Sequence, residues 1–477
     1  MQSIKTNYIF NTLYQVLSLF IPLITAPYIS RVFGKDGVGE ISYVASIAAY
    51  FVLFASLGTA TYAKREIAQN RDDKRQTSII FWEIEILLVV MTSICLLGWG
   101  VVISLTKGNT LLFLLQAIQI MTVAVNTTWF FGGQEQFKLL SIRNGLLKIA
   151  QIICLFTFVK DRSDLLLYVL IMYGFDFLGY LSVLPTLKKY IQRIPLKELH
   201  PKRHFRHVFE YFLPTIASSV YQYLDKVMLG AMGQDYSQNG YYEQVTKIIN
   251  MVLGVIVSLD TIMEARMSYL FAKGRAEEMK SRLHQSVNFT LGISIPAFFG
   301  LCGISATLIP WFLGEDFLPA VPLLGVYSVT LIFTGMCCCL GGQYLIPSGK
   351  RNLSTRVLFL VAFVNLVLNY LLIPHMQAMG ATIATVISEG LCMVLYMYLS
   401  RSYIRWGDLA KLAYKKVLIG VIMLAVVLAI GHVLPGGFGT LAIQIAAGGC
   451  LYVAGSLLLK DAFVLSILDF LKSKLKK

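Results

Sequence analysis

Four charged residues stand close together in a chain built almost wholly of apolar runs. Asp225 and Lys226 are adjacent in SSVYQYLDKVMLG (218–230), and Glu243 and Lys247 follow in the next run. A carboxylate inside a membrane span can take up a proton or a sodium ion, and an ammonium can hold an anion; such residues mark pathways by default. Neighbours on a helix point about 100° apart, so Asp225 and Lys226 are not partners of one another. Glu243 and Lys247 have the i, i+4 order that favours a helix ion pair. One reading is an interhelical salt-bridge cluster near the interface, with lysine stems reaching outward. The other is a cationic lining for an anionic substrate, tuned by the carboxylates. Arg31, at the end of the first apolar run, would add a third cation from the facing lobe, and this favours the second reading. Arg31, Lys226 and Lys247 are therefore the candidate substrate-binding residues, with Asp225 and Glu243 in their charge network.

Three further carboxylates lie alone in apolar runs: Asp176 in MYGFDFLGY, Asp260 in VSLDTIM and Glu389 in VISEGL. Each fits an ion-coupling relay for protons or sodium, or a hydrogen-bonded packing residue. Glu83 and Glu85 fall at the start of a run, where solvation accounts for them. His200, His204 and His207 fall in a basic loop and read as solvated. No His or Cys has metal-ligand spacing, and no cofactor is implied. The Cys337–Cys339 triplet reads as small helix-packing surface. Pro22 and Pro27 in FIPLITAPYIS, and Pro214 in FLPTIASS, would bend the first and seventh runs at corresponding places. Interrupted helices at matching positions of two halves point to a transporter's binding site.

The elements that must position these residues are helices in a membrane. The chain is 56% hydrophobic and 14% charged over 477 residues, against about 25% charged for a soluble domain. Runs of about 20 apolar residues recur from end to end, each enough to cross a ~30 Å hydrocarbon core. Fourteen spans are expected: 8–32, 40–61, 79–104, 110–131, 146–159, 165–187, 209–232, 241–263, 286–309, 322–345, 354–373, 380–400, 417–434 and 439–459. The first run is too long for a signal-peptide core, so it is expected to stay in the membrane. The net charge of +15 could suggest nucleic acid, but 34 of the 41 Lys and Arg fall on one side if the spans alternate. That is the positive-inside pattern with both termini cytoplasmic, and it removes nucleic acid as a partner. In the tail, Phe463, Val464, Ile467, Leu468, Leu471 and Leu475 fall on one helical face beside clustered lysines, an arrangement suited to the inner leaflet.

The longest basic loop follows the sixth span. The fold class is thus all-α and polytopic, with a six-helix lobe at 1–190, a basic cytoplasmic linker at 191–208 and a second six-helix lobe at 209–400. Two extra helices at 401–460 and an amphipathic tail at 461–477 complete it. Six spans return the chain to its starting side, which makes the lobes a parallel repeat. Weak echoes agree: ISRVFG before GEISYVASI, and DKVMLG before GYYEQVTKI. Outer loops are short, and no phosphate loop, nucleophile elbow or zinc-helix motif is present. An ATPase or hydrolase has nothing to stand on, so the chain is not read as an enzyme.

Several stretches resemble the bacterial polysaccharide repeat-unit flippases, in the superfamily that also holds multidrug extruders. They are NTLYQVLSLFIPLITAPYISRVFGKDGVGEISYVASIAAYFVLFASLGTATYAKREIA, NTTWFFGGQEQFKLLSIRN, LDKVMLGAM, YYEQVTKIIN, EARMSYLFAKG, QYLIPSGKRN and LLIPHMQAMGATIATVISE, and they cover about 1–400. The resemblance implies fourteen helices in two lobes around a central cationic cavity. It implies transfer of undecaprenyl-diphosphate-linked oligosaccharide across the bacterial cytoplasmic membrane, for capsule, exopolysaccharide or O-antigen-type assembly. Polysaccharide polymerase and glycosyltransferases of the same pathway would be partners, beside the lipid-linked oligosaccharide and membrane lipids. A teichoic-acid chain flippase or a multidrug extruder of the same fold are alternatives. An integral polysaccharide polymerase fits least, because it needs a large outer loop.

Overall fold

The computed structural model describes residues 4–106, 108–233 and 235–465; the side chains of 4–20, 137–139, 213–214, 217–218, 220–222, 259 and 261–262 lie outside the described residues. No strand occurs among the described residues. The helices run in order as α1 (Ile4–Ser56), α2 (Thr59–Gln69), α3 (Lys74–Leu105), α4 (Thr110–Val125), α5 (Thr128–Gly133) and α6 (Phe137–Phe158). Next come α7 (Leu165–Leu181), α8 (Leu184–Leu187), α9 (Lys202–Met232), α10 (Ser237–Ile256), α11 (Asp260–Ala272) and α12 (Ala276–Leu313). The last are α13 (Ala320–Tyr327), α14 (Thr330–Leu340), α15 (Arg351–Leu399), α16 (Trp406–Val433) and α17 (Phe438–Leu458). Among the described residues, ten helical stretches are long and apolar enough to cross a membrane.

Two of the helices each carry two of the apolar runs. The sequence places a short loop between the first and second runs, but α1 turns at a single residue, Gly34, with φ 65°. Positive φ is cheap only without a Cβ. Pro22 and Pro27 both lie inside helical α1, before that break. Similarly, α15 breaks at Gln377 (φ 52°), and Gly380 then lies against the preceding arm, where an added Cβ would stand 2.6 Å from the Leu372 carbonyl oxygen.

Two compact units make up the chain: Met1–Ala231 with Asp235–Asn239, and Met232–Gln234 with Gly240–Lys477. In the first, α1 packs on α3, α4 and α6, α4 packs on α7, and α2 packs on α5. Asp73 caps α3 by accepting from the Arg75 and Gln76 amides. Deep in the bundle the Trp99 indole donates to the Phe113 carbonyl at 2.9 Å, so its buried N–H is satisfied.

The basic linker is fastened to the start of α3. The Gln192 amide donates to Ser78 Oγ at 3.0 Å, and the Trp82 indole donates to the Gln192 carbonyl at 3.1 Å. Glu83 corrects the reading of the sequence: it is 0% exposed rather than solvated. One carboxylate oxygen accepts from the His200 amide at 2.7 Å; the other accepts from Arg203 Nε and faces His204 Nε2, both at 2.8 Å. His204 is likewise buried, and its Nδ1 meets the Tyr62 hydroxyl at 2.7 Å. Glu85 is also no interface residue, since its Oε2 is buried with no hydrogen-bond partner among the described residues. A charge at an interface can turn inward when the following linker folds over it, and hydropathy does not record that.

In the second unit α12 is the central helix, packed on α14, α16 and α17. Met267, Leu283, Leu291, Met336, Leu340 and Tyr396 belong to one core cluster, and Cys337, Cys339 and Cys392 fill gaps in it. Lys416, counted with the cytoplasmic loop cations in the sequence, is buried. Its ammonium meets Asp461 Oδ2 at 2.9 Å and donates to Asn288 Oδ1 and the Leu412 carbonyl at 2.8 Å. Phe463 and Val464 are buried too, rather than lying on a lipid leaflet; Phe463 faces the Phe289 ring at 5.7 Å and sits over Gly292. The pair that fixes Asp461 draws the start of the tail into the protein. The rest of the tail face, Ile467, Leu468, Leu471 and Leu475, lies outside the described residues.

Candidate functional site

In the first unit α9 lies along the second arm of α1 and along α2. Phe212 meets Phe54 at 5.6 Å, Tyr223 meets Tyr50 at 6.1 Å, and Tyr43 meets Tyr236 at 5.7 Å. Gly230 makes the approach possible, because a Cβ there would run into the Tyr43 ring. This packing buries Asp225 to 3% exposure, within electrostatic reach of Tyr50. Lys226, one residue on, is half-buried, and its carbonyl accepts from Asn239 Nδ2 at 2.9 Å. The adjacent charges thus meet different surroundings, as helix geometry requires. Arg31 is exposed on the first arm of α1. The backbone of Pro214 lies inside α9, and its side chain is outside the described residues.

Also in the first unit, Asp176 is not alone: Lys148 stands 3.3 Å away. The sequence counts Arg143 and Lys148 with the cytoplasmic cations of 131–148: a fifth span begun at 146 leaves Arg143 outside it and Lys148 at its very edge. The helix α6 in fact starts at Phe137, so both cations sit within it. The apolar stripe of Ile142, Leu146, Ile149 and Ile153, with helical spacing that begins before 146, is the signal that could have found them.

In the second unit Glu243 and Lys247 form their i, i+4 ion pair at 3.0 Å, with side-chain exposures of 14% and 35%. Next to Glu243, the buried Tyr242 hydroxyl meets Thr385 Oγ1 at 3.1 Å. Asp260 accepts from Gln343 Nε2 at 2.6 Å. Gln343 lies in a single π-helical turn, Gly341–Leu345, that ends α14. Glu389 is 6% exposed on the second arm of α15. Glu243 can hold a proton or a cation only by giving up or sharing Lys247, whereas Asp260 keeps a buried Oδ2 with no hydrogen-bond partner among the described residues; each ammonium can offer donors to an oxyanion. Among the described residues no group of three or more His, Cys, Asp or Glu is placed to hold a metal ion.

Residues 4–262 match the family described as polysaccharide biosynthesis protein. A protein of Escherichia coli (strain K12) named for O-antigen transport is 22% identical over 404 residues, covering 83% of this chain and 96% of that one. The capsular polysaccharide biosynthesis protein CapF of Staphylococcus aureus is 23% identical over 422 residues, covering 82% and 97%. Among solved structures, the lipid II flippase MurJ in its inward closed conformation superposes with TM-score 0.77 at 15% identity, covering 95% of this chain and 99% of MurJ. An inward-facing multidrug transporter of the MATE family gives 0.62 at 12% identity, covering 85% and 95%. The two structures share the fold of this chain: a polytopic bundle of membrane helices. With more than half its length matched, the chain belongs to the polysaccharide biosynthesis protein family.

Proposed function

We propose that this protein is a flippase that carries a lipid-linked oligosaccharide from the inner to the outer leaflet of a bacterial cytoplasmic membrane, with both termini cytoplasmic. The observation that carries the reading is the set of ionisable side chains on α9 and α10, Asp225, Lys226, Glu243 and Lys247, in a member of a family described by polysaccharide biosynthesis. The relative named for O-antigen transport and the fold of a lipid II flippase support it. A diphosphate and a sugar headgroup cannot cross hydrocarbon unaided, because their polar groups would lose water without compensation. Arg31, Lys226 and Lys247 are the cations that hold the diphosphate while the prenyl tail stays in lipid. Alternating exposure of these cations to each side moves the headgroup with no covalent change. Pro22, Pro27 and Pro214 serve as hinges. Asp225, Glu243, Asp176, Asp260 and Glu389 are the groups through which a proton or sodium gradient resets the carrier.

A negative interior also helps: each charge is worth ~2.3 kcal/mol per 100 mV, and the diphosphate leaves with about two. Lysines in the spans disfavour cationic drugs as cargo. The glycan comes from glycosyltransferases and goes to a polymerase of the same pathway. The test is flipping of undecaprenyl-diphosphate-linked oligosaccharide in proteoliposomes. Lys226→Ala and Lys247→Ala abolish it while the protein stays folded, and Lys226→Arg is milder. Normal flipping by both alanine variants overturns the assignment of these residues.

A further inference from the structure

The seam between α6 and α7 holds a small open crevice of ≈ 50 Å³. Arg143, Asn144 and Lys148 line it from α6, and Asp176, Gly179 and Tyr180 from α7. Nothing in the proposed carrier cycle uses Arg143, Asn144 or Tyr180.

The crevice is built rather than incidental. Lys148 is held at its inner end by Asp176 at 3.3 Å and by Gln151 Oε1 at 2.9 Å. Gln151 is itself 2% exposed and donates to the Met172 carbonyl at 2.7 Å. Towards the helix ends, the Arg143 guanidinium donates to the Gly179 carbonyl and to Asn144 Oδ1. It lies 5.6 Å from the centre of the Tyr180 ring. The two helices approach closely because Gly179 has no side chain; a Cβ there would stand 2.9 Å from Leu147 Cδ1.

Charge and position identify the ligand. The lining carries two fixed cations against one carboxylate, a net positive charge inside a membrane helix pair. The same helices expose Leu146, Ile149, Ile153 and Leu178 at 65%, 48%, 60% and 58%. Large apolar side chains exposed on a membrane helix face lipid tails. At ~1.5 Å per residue, Arg143 lies ~9 Å inside the start of α6 and Tyr180 at the end of α7. Both helix ends belong to the side of the basic loops. A guanidinium, an amide and a phenol ranged around one open mouth suit a phosphate, for which Arg offers paired donors. Basic pockets between helices on the cytoplasmic side are suited to lipid headgroups.

We propose that the α6–α7 crevice binds the phosphate of an inner-leaflet lipid, with Arg143, Asn144 and Tyr180 on the phosphate and Lys148 as the inner countercharge. It rests on the orientation proposed above, and its test needs no transport. Two sources share the chemistry: the prenyl phosphate of the carried lipid and an ordinary anionic phospholipid.

The full-length protein, purified and delipidated, is titrated separately with phosphatidylglycerol, undecaprenyl phosphate and phosphatidylcholine, and lipid retention is read by native mass spectrometry. Arg143→Gln weakens retention of the anionic lipid by about tenfold, the loss of one charge-assisted contact. Asp176→Asn strengthens it, because the lining then carries two net positive charges; a gain cannot come from misfolding. Retention of undecaprenyl phosphate alone assigns the crevice to the carried lipid, and retention of phosphatidylglycerol as well assigns it to the bulk leaflet. Equal retention of phosphatidylcholine, or folded variants unchanged from wild type, overturns the proposal. A flipping assay that fails leaves this result standing.

Discussion

Glu83 in the first unit and Lys416 in the second are both charges buried to 0% exposure, and they are compensated in opposite ways. Glu83 gathers an excess of donors from a loop: a backbone amide, a guanidinium and an imidazole. Lys416 has one carboxylate, with an amide oxygen and a carbonyl of its own helix completing its three donors. Glu83 can lose one partner and keep others, and Arg203 beside it is half exposed to water. Lys416 cannot, because Asp461 is its one carboxylate among the described residues and is just as buried. Breaking a buried pair leaves an uncompensated charge, whereas a charge in a donor-rich pocket degrades in steps. Both centres fasten a connecting segment, the basic linker in one case and the start of the tail in the other.

The comparison is broken most forcefully at Asp461. Asp461→Ala should cost about 3–5 kcal/mol by stranding the Lys416 ammonium, read as thermal unfolding in detergent. The double change Lys416→Met with Asp461→Leu should recover most of that, and no recovery would mean that Asp461 acts through something besides the pair. Glu83→Ala should cost less, about 2–3 kcal/mol, because Arg203 can turn to water while the His200 amide and His204 lose an acceptor.

The imidazole sharpens the contrast through pH. Burial lowers the pKa of His204, with the Glu83 carboxylate opposing that shift only in part. In the neutral form Nε2–H donates to Glu83 and Nδ1 accepts from the Tyr62 hydroxyl, which fits both distances. A depressed folded-state pKa means that the unfolded chain binds the proton more readily. Stability is therefore full above the ordinary histidine range and falls as pH drops through about 6.5 toward the folded value. Wild type should lose thermal stability between about pH 7.5 and 5.5, and His204→Gln should flatten that slope; identical slopes would remove His204 as the cause. Smallest of all, Arg75→Ala should cost below ~1 kcal/mol, since the Arg75–Glu198 pair is exposed at 65% and 39%.

Much of the frame was legible in the chain. Long apolar runs are local properties, and local sums of hydropathy record them. The pair Glu243–Lys247 was legible for the same reason, since i, i+4 neighbours meet on any helix. The sharp break at Gly34 was not, because the choice between a loop and a one-residue turn depends on how the two arms pack. Arg143 and Lys148 were mistaken for loop cations where charge near a helix start imitates a boundary.

By itself, then, the sequence determined that this is a helical membrane protein with charges it cannot leave in lipid. Only the tertiary structure decided what answers those charges. Lys148 finds Asp176 28 residues away, Lys416 finds Asp461 at a separation of 45, and Glu83 finds His204 at 121. Hydrophobicity acts residue by residue and can be read along a chain. Compensation of a buried charge depends on which helices become neighbours, and the packing of the whole bundle sets that.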